Sequence, residues 1–253
     1  MAVLLWPRAL KSASLTRYLW LFPLIAGLSW FITIRILLVR WLALGQPRYP
    51  GQVNPDVPFI SDIAAFTFKP VFVAGCTVTG LAFAGSMFAV HHVRYARGFY
   101  SLVDDVPWRQ NASVFALVAG LAAAISLFFL SVFDTVDAHV RHLYLLMGTF
   151  DGLGLSGVLT AAVWWDQTWG PAKFAGLRRW CILNTFLMAF QVAIGLSFVV
   201  LMYSGRYKPA GFLEWTLTYL GSFWLLSFIG YTRFREDIDP ESPLEAERRP
   251  LLA

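Results

Sequence analysis

Six apolar runs of membrane-crossing length, charges held between the runs, and no alternation of apolar with polar residues inside them predict an all-α protein. The architecture they imply is a polytopic membrane bundle of six transmembrane helices. Lipid offers a bare N–H or C=O no partner, so a crossing run is either a helix or a strand of a closed barrel. Barrel strands alternate every second residue, and these runs do not. Hydrophobic residues make up 58% of the 253 and charged ones 14%. A soluble globule carries about half and about a quarter.

In chain order the spans fall at 19–39, 70–90, 112–133, 142–164, 181–203 and 212–232. The first is too long for the core of a cleaved signal peptide and is expected to stay as an anchor. The second opens on Lys69-Pro70, and proline suits a first helical turn, where its missing N–H is not needed. The third begins just after Trp108 and Arg109. The fourth carries Asp151 about nine residues inside, roughly 13 Å deep at 1.5 Å per residue. Gly148, Gly152, Gly154 and Gly157 surround it and would let a neighbouring helix approach closely. A carboxylate at that depth needs a partner, a proton or water. Gln191, near the middle of the fifth span, is the expected hydrogen-bond partner, so this pair is either interhelical glue or part of a lipid or ion path. These spans form one domain over 1–232. The mixed charges and three prolines of 233–253 predict a disordered tail.

Charge gives the bundle a direction. Thirteen Lys and Arg lie before the first span (Arg8, Lys11, Arg17), in the 2–3 loop (Arg94, Arg97, Arg109), in the 4–5 loop (Lys173, Arg178, Arg179) and in the tail (Arg233, Arg235, Arg248, Arg249). Six lie on the other side: Arg40, Arg48, Lys69, Arg141, Arg206 and Lys208. Arg35, inside the first span, can snorkel to the interface. The positive-inside rule then places both termini in the cytosol. Trp108, Trp164, Trp165, Trp169 and Trp180 would form an inner aromatic belt, with Trp41 and Trp215 outside. On this reading the pI near 9.4 records topology and contact with acidic phospholipids, not nucleic acid. Cys76 and Cys181 fall in opposite halves and are expected to be packing residues. No cofactor motif is present, and no HExxH or comparably specific metal spacing.

Two loops gather polar groups on the expected outer face. In the first, Ser61 or Asp62 could cap a short interfacial helix over 63–68, ahead of Lys69 and Pro70. The second is the tight 3–4 turn with Phe133, Asp134, Thr135, Asp137, His139 and His142. His139 and His142 are three residues apart and share a face if the fourth helix has begun. Asp62, Asp134, His139 and His142 are therefore the candidate catalytic residues of an acid–base or metal site. The alternative is a network that caps helix ends and pins a short loop to lipid heads. In the tail, Glu247, Leu251 and Leu252 match the spacing of an acidic dileucine sorting signal, an acid and two leucines for an adaptor to grip.

The run Val57-Pro58-Phe59-Ile60-Ser61-Asp62-Ile63, then Lys69-Pro70-Val71-Phe72, then Phe133-Asp134-Thr135 and His142 resembles the Frag/DRAM/Sfk family of six-span eukaryotic membrane proteins. The form here is most like the fungal Sfk-type branch. One departure is Ala64, where the family pattern has Gly. The resemblance implies a protein of the plasma membrane, Golgi or lysosome or vacuole that organises lipids between leaflets or recruits a phosphoinositide-kinase complex, and the dileucine match would direct it to endosomes or the vacuole. Relatives that remodel lipid anchors keep a lipid-modifying enzyme open. In the non-enzymatic reading the motifs tie the first outer loop to the 3–4 turn. A transporter using Asp151 would need a water-accessible cavity reaching it.

Overall fold

The computed structural model describes residues 17–95, 106–170 and 174–234. It contains six helices long and apolar enough to cross a membrane, and no strand among the described residues. The long helices are α1 (Leu21–Ala43), α3 (Lys69–Tyr95), α4 (Pro107–Val132), α5 (His139–Val163), α7 (Ala175–Tyr203) and α8 (Tyr207–Ser227). Short helices α2 (Ile60–Ala64), α6 (Trp165–Trp169) and α9 (Ile229–Thr232) cap their ends. Each expected span is present. Most run several residues further than the apolar core, because a helix keeps satisfying its backbone past the point where its side chains turn polar. Pro107 sits in the first turn of α4 and Pro70 in that of α3, where no N–H is required.

The helices form a ring. α1 packs on α3, α3 on α4, α4 on α5, α7 on α8, and α8 back on α1. The ring is loose at one place only: α5 lies closely along α4 but touches α7 sparsely. Gly152 explains the tight side, since a Cβ there would meet Ala123 Cβ at 2.9 Å and the Ala119 carbonyl at 3.0 Å. Gly148 faces Ser126 of α4 in the same way. Gly154 departs from the expected packing role, because it faces open space.

The two ends of the bundle are named here by a residue at each. The Ser61 end holds the 44–68 loop and the α4–α5 turn. The Arg94 end holds α6, α9 and the first and last described residues. At the Arg94 end, buried Trp164 meets Tyr231 edge to face and Phe228 meets Trp224 in the same way, with Phe228 tilted against Tyr231. Trp164 is thus core rather than belt, while Trp108, Trp165, Trp169 and Trp180 are exposed as a belt requires. Trp41 and Trp215 also turn inward. Their indoles donate to the Pro47 and Pro58 carbonyls at 3.2 and 3.0 Å. Cys76 and Cys181 are both buried, each with a free thiol. Glu247, Leu251 and Leu252 lie outside the described residues.

Candidate functional site

The 44–68 loop is tied down by side chains that satisfy its backbone. Asn54 Nδ2 donates to the Tyr207 carbonyl at 2.6 Å, while its Oδ1 accepts the N–H groups of Asp56 and Val57, each at 3.1 Å. α2 begins at Ile60, earlier than the expected 63–68, because two carboxylates satisfy its first N–H groups. Asp62 Oδ2 reaches back to the Phe59 N–H at 2.9 Å, and Glu214 Oε2 on α8 accepts the Ile60 N–H at 2.9 Å. Asp62 is therefore the third residue of α2 rather than its cap. Burial raises its pKa, and the Phe59 N–H partly offsets this. Ala64 lies inside α2 in ordinary helical geometry, so the absent Gly is no strain there.

The 3–4 turn is fixed just as firmly. Asp134 Oδ1 accepts the N–H groups of Val136 and Asp137 at 2.9 and 2.8 Å. Its Oδ2 takes Lys69 Nζ at 2.5 Å, which is the expected tie between the first loop and the turn. Burial pulls the Asp134 carboxyl upward, but those N–H groups and Lys69 outweigh it and hold the pKa below the usual range. His142 Nδ1 lies 2.7 Å from the Phe133 carbonyl. A carbonyl can only accept, so Nδ1 carries the proton and Nε2 keeps its lone pair in the neutral ring.

Of the four candidate catalytic residues, the fold brings Asp134 and His142 together, with Ser61, around a cleft of about 10 Å³. That space is about one water in size. Asp62 turns to the α2 backbone, and His139 is exposed at the start of α5. Both aspartates are spent on backbone N–H groups, so the four do not converge into an acid–base or metal centre. Thr135 and Phe133 shape the turn, with Arg141 lying 5.6 Å over the Phe133 ring.

Ser61 and His142 have a second neighbour: a cavity of about 520 Å³ inside the bundle, which they help to roof. Such a volume is in the ~300–1,000 Å³ range of ligand pockets. Its wall is mainly apolar, from α3, α4, α5, α7 and α8, and it reaches the loose seam between α5 and α7. Exposed Asp151, Leu155 and Val158 of α5 and Leu196 of α7 belong both to that wall and to the outer surface, so the cavity opens sideways. Gly154 and Gly195 flank the opening with nothing within 4 Å of a Cβ at either position. Asp151 and Gln191 both line the cavity, but the expected bond between them is not made. Gln191 Nε2 is buried without a partner, as is Thr79 Oγ1.

Three features escaped the sequence reading. Glu214, 7% exposed, was hidden because a single carboxylate barely lowers the mean hydropathy of a span. An acid within an apolar run was the signal that could have found it. Thr79 offered no signal, since threonine is common in membrane helices. At the opposite end, Arg94 is fully buried, donates from Nη2 to both oxygens of Asp166 at 3.0 Å, and lies 4.9 Å over the Trp164 ring. Arg109 approaches the same carboxylate at 3.6 Å. These two arginines face Asp166 rather than lipid heads. Arg17, Arg178, Arg179 and Arg233 remain exposed at that end.

Six apolar helices around a laterally open cavity, with the polar roof committed to holding its loops, define a multi-pass integral membrane protein. A family model for the Frag1/DRAM/Sfk1/Cwh43P N-terminal domain matches residues 18–230, and the chain belongs to that family. No curated protein and no solved structure matches it.

Proposed function

We propose that this protein organises membrane lipids by taking one lipid at a time into the cavity between α5 and α7. The observation that carries the reading is the sideways opening: an apolar chamber of about 520 Å³ continuous with the surface that faces the acyl chains. Water-soluble ligands would have to cross lipid to reach it, whereas an acyl chain is already there. In this reading the Ser61 end faces outward and both termini are cytosolic, following the charge asymmetry of the loops. Arg17, Arg178, Arg179 and Arg233 would then meet acidic phospholipids, each contributing about 1 kcal/mol near the surface. A cytosolic lipid-kinase complex would be recruited on the same face.

The test is lipid mass spectrometry of the protein extracted directly into nanodiscs, comparing the parent with Gly154→Trp. With nothing within 4 Å of a Cβ there, the indole should extend into the opening, so a retained lipid species should be lost while the thermal midpoint is kept. Identical lipid content in the two proteins would sink the reading.

One observation favours a second reading. His142 lines the cavity next to Ser61, with its imidazole held in place by the Phe133 carbonyl. That arrangement would suit a lipid-modifying enzyme. Incubating the purified protein with candidate lipids, beside His142→Gln, separates the two. Turnover lost in the variant supports catalysis, and binding without turnover in the parent argues against it.

A further inference from the structure

The cavity wall carries a polar pattern that selects among lipids. None of its side chains is lysine or arginine. Toward the Ser61 end its polar side chains are the Glu214 carboxyl, the His142 imidazole and the Ser61 hydroxyl. Glu214 has one oxygen on the Ile60 N–H, which leaves the other for a ligand. Deeper in, the groups without partners are donors: Thr79 Oγ1, only 3% exposed, Gln191 Nε2 and Trp224 Nε1 are all buried with no hydrogen bond. Unmet groups of this kind cost about 1–3 kcal/mol each, and a ligand that supplies partners recovers that cost.

Position along the helices orders the two sets. Counted from the Ser61 end, Glu214 is seven residues into α8, roughly 10 Å down at 1.5 Å per residue. Thr79 is ten residues into α3 and Gln191 twelve from the end of α7, roughly 15 and 18 Å down. The unmet donors therefore lie roughly 5–8 Å below Glu214, with the exposed Asp151 carboxylate at about their depth on the seam. A phosphate would bring negative charge into a wall that holds no lysine or arginine to balance it.

Resting on the lipid-cavity reading, we infer that the occupant is an uncharged acyl lipid with a free hydroxyl and a carbonyl, of the diacylglycerol type. The hydroxyl donates to Glu214, an ester carbonyl accepts from Thr79 and Gln191, and one chain leaves through the α5–α7 seam.

The experiment uses the purified full-length protein in phosphatidylcholine nanodiscs with photoreactive diacylglycerol, phosphatidic acid and sterol probes. Crosslinks are mapped to peptides by mass spectrometry. The diacylglycerol probe should label α5 and α7 saturably, and Gly154→Trp should abolish that labelling. Thr79→Val with Gln191→Leu should weaken it about tenfold, the effect of losing about one net hydrogen bond. The same double variant removes two unmet buried groups, so its thermal midpoint should hold or rise, which separates lost binding from misfolding. Equal labelling by phosphatidic acid or by the sterol overturns the headgroup assignment and leaves the cavity reading standing. No saturable labelling by any probe, with lipid content unchanged in Gly154→Trp, overturns both.

Discussion

Replacing Asp166 with alanine tests the least expected feature of the fold. Arg94 has no exposed surface, and Asp166 holds its guanidinium through both oxygens at 3.0 Å. Taking one partner from a buried ion pair costs about 3–5 kcal/mol, because the remaining charge loses its match where water cannot replace it. Asp166 is itself 29% exposed, so the lower end, about 3 kcal/mol, applies. In a chain of this size 1 kcal/mol moves the melting midpoint by about 2–4 °C, so the midpoint should fall by about 6–12 °C. The reverse deletion is milder. Arg94→Met leaves a part-exposed Asp166 with Arg109 at 3.6 Å and Gln167 at 2.9 Å, and gives up the contact with the Trp164 face. That contact is worth about 1–2 kcal/mol. Arg94→Met with Asp166→Leu, which removes both charges, should recover most of the loss. Thermal unfolding in detergent, followed by tryptophan fluorescence, reads all three. An Asp166→Ala midpoint within about 1 °C of the parent would refute the reasoning. So would a double variant that falls by the sum of the single effects.

The two glycines around Asp151 should behave oppositely. Gly152→Ala forces α5 away from the Ala119 carbonyl and should cost about 1–3 kcal/mol, whereas Gly154→Ala, with open space, should leave the melting midpoint unchanged. Equal effects at the two positions would contradict the seam. The Lys69–Asp134 tie should respond to acid. The pKa of Asp134 is lowered on folding, so its contribution is present above the unfolded value of about 3.9 and lost as pH falls through the folded one. Asp134→Asn should therefore melt below the parent at pH 7, with the gap narrowing as pH falls below about 3.9, followed by the same fluorescence. A gap that persists unchanged at pH 3 would assign the effect to packing instead.

How much the chain announced in advance depended on the range of the cause. Apolar length is a local property, so all six helices were legible from the sequence, as was Pro70 in its first turn. The tie between the first loop and the 3–4 turn was expected from the paired motifs, and the Lys69–Asp134 bridge makes it. Side-chain partners across helices were not legible. Asp62 looked like a cap or a catalytic acid, and its place inside α2 follows from Glu214, which lies 154 residues away from the Ile60 N–H it accepts. Trp41, Trp164 and Trp215 look like interface residues in one dimension, yet neighbouring carbonyls and rings draw them inward. Arg94 counts as a surface charge until Asp166 is placed beside it.

Bilayer physics and hydrophobic length thus determined from sequence alone that this protein is a six-span helical bundle with its motif-bearing loops at one end. Only the tertiary structure decided that α5 and α7 meet sparsely, that the loose seam becomes a chamber, and that Thr79, Gln191 and Glu214 line it. Backbone hydrogen bonding makes each helix independently, whereas a cavity exists only in the mismatch between surfaces of helices far apart in sequence.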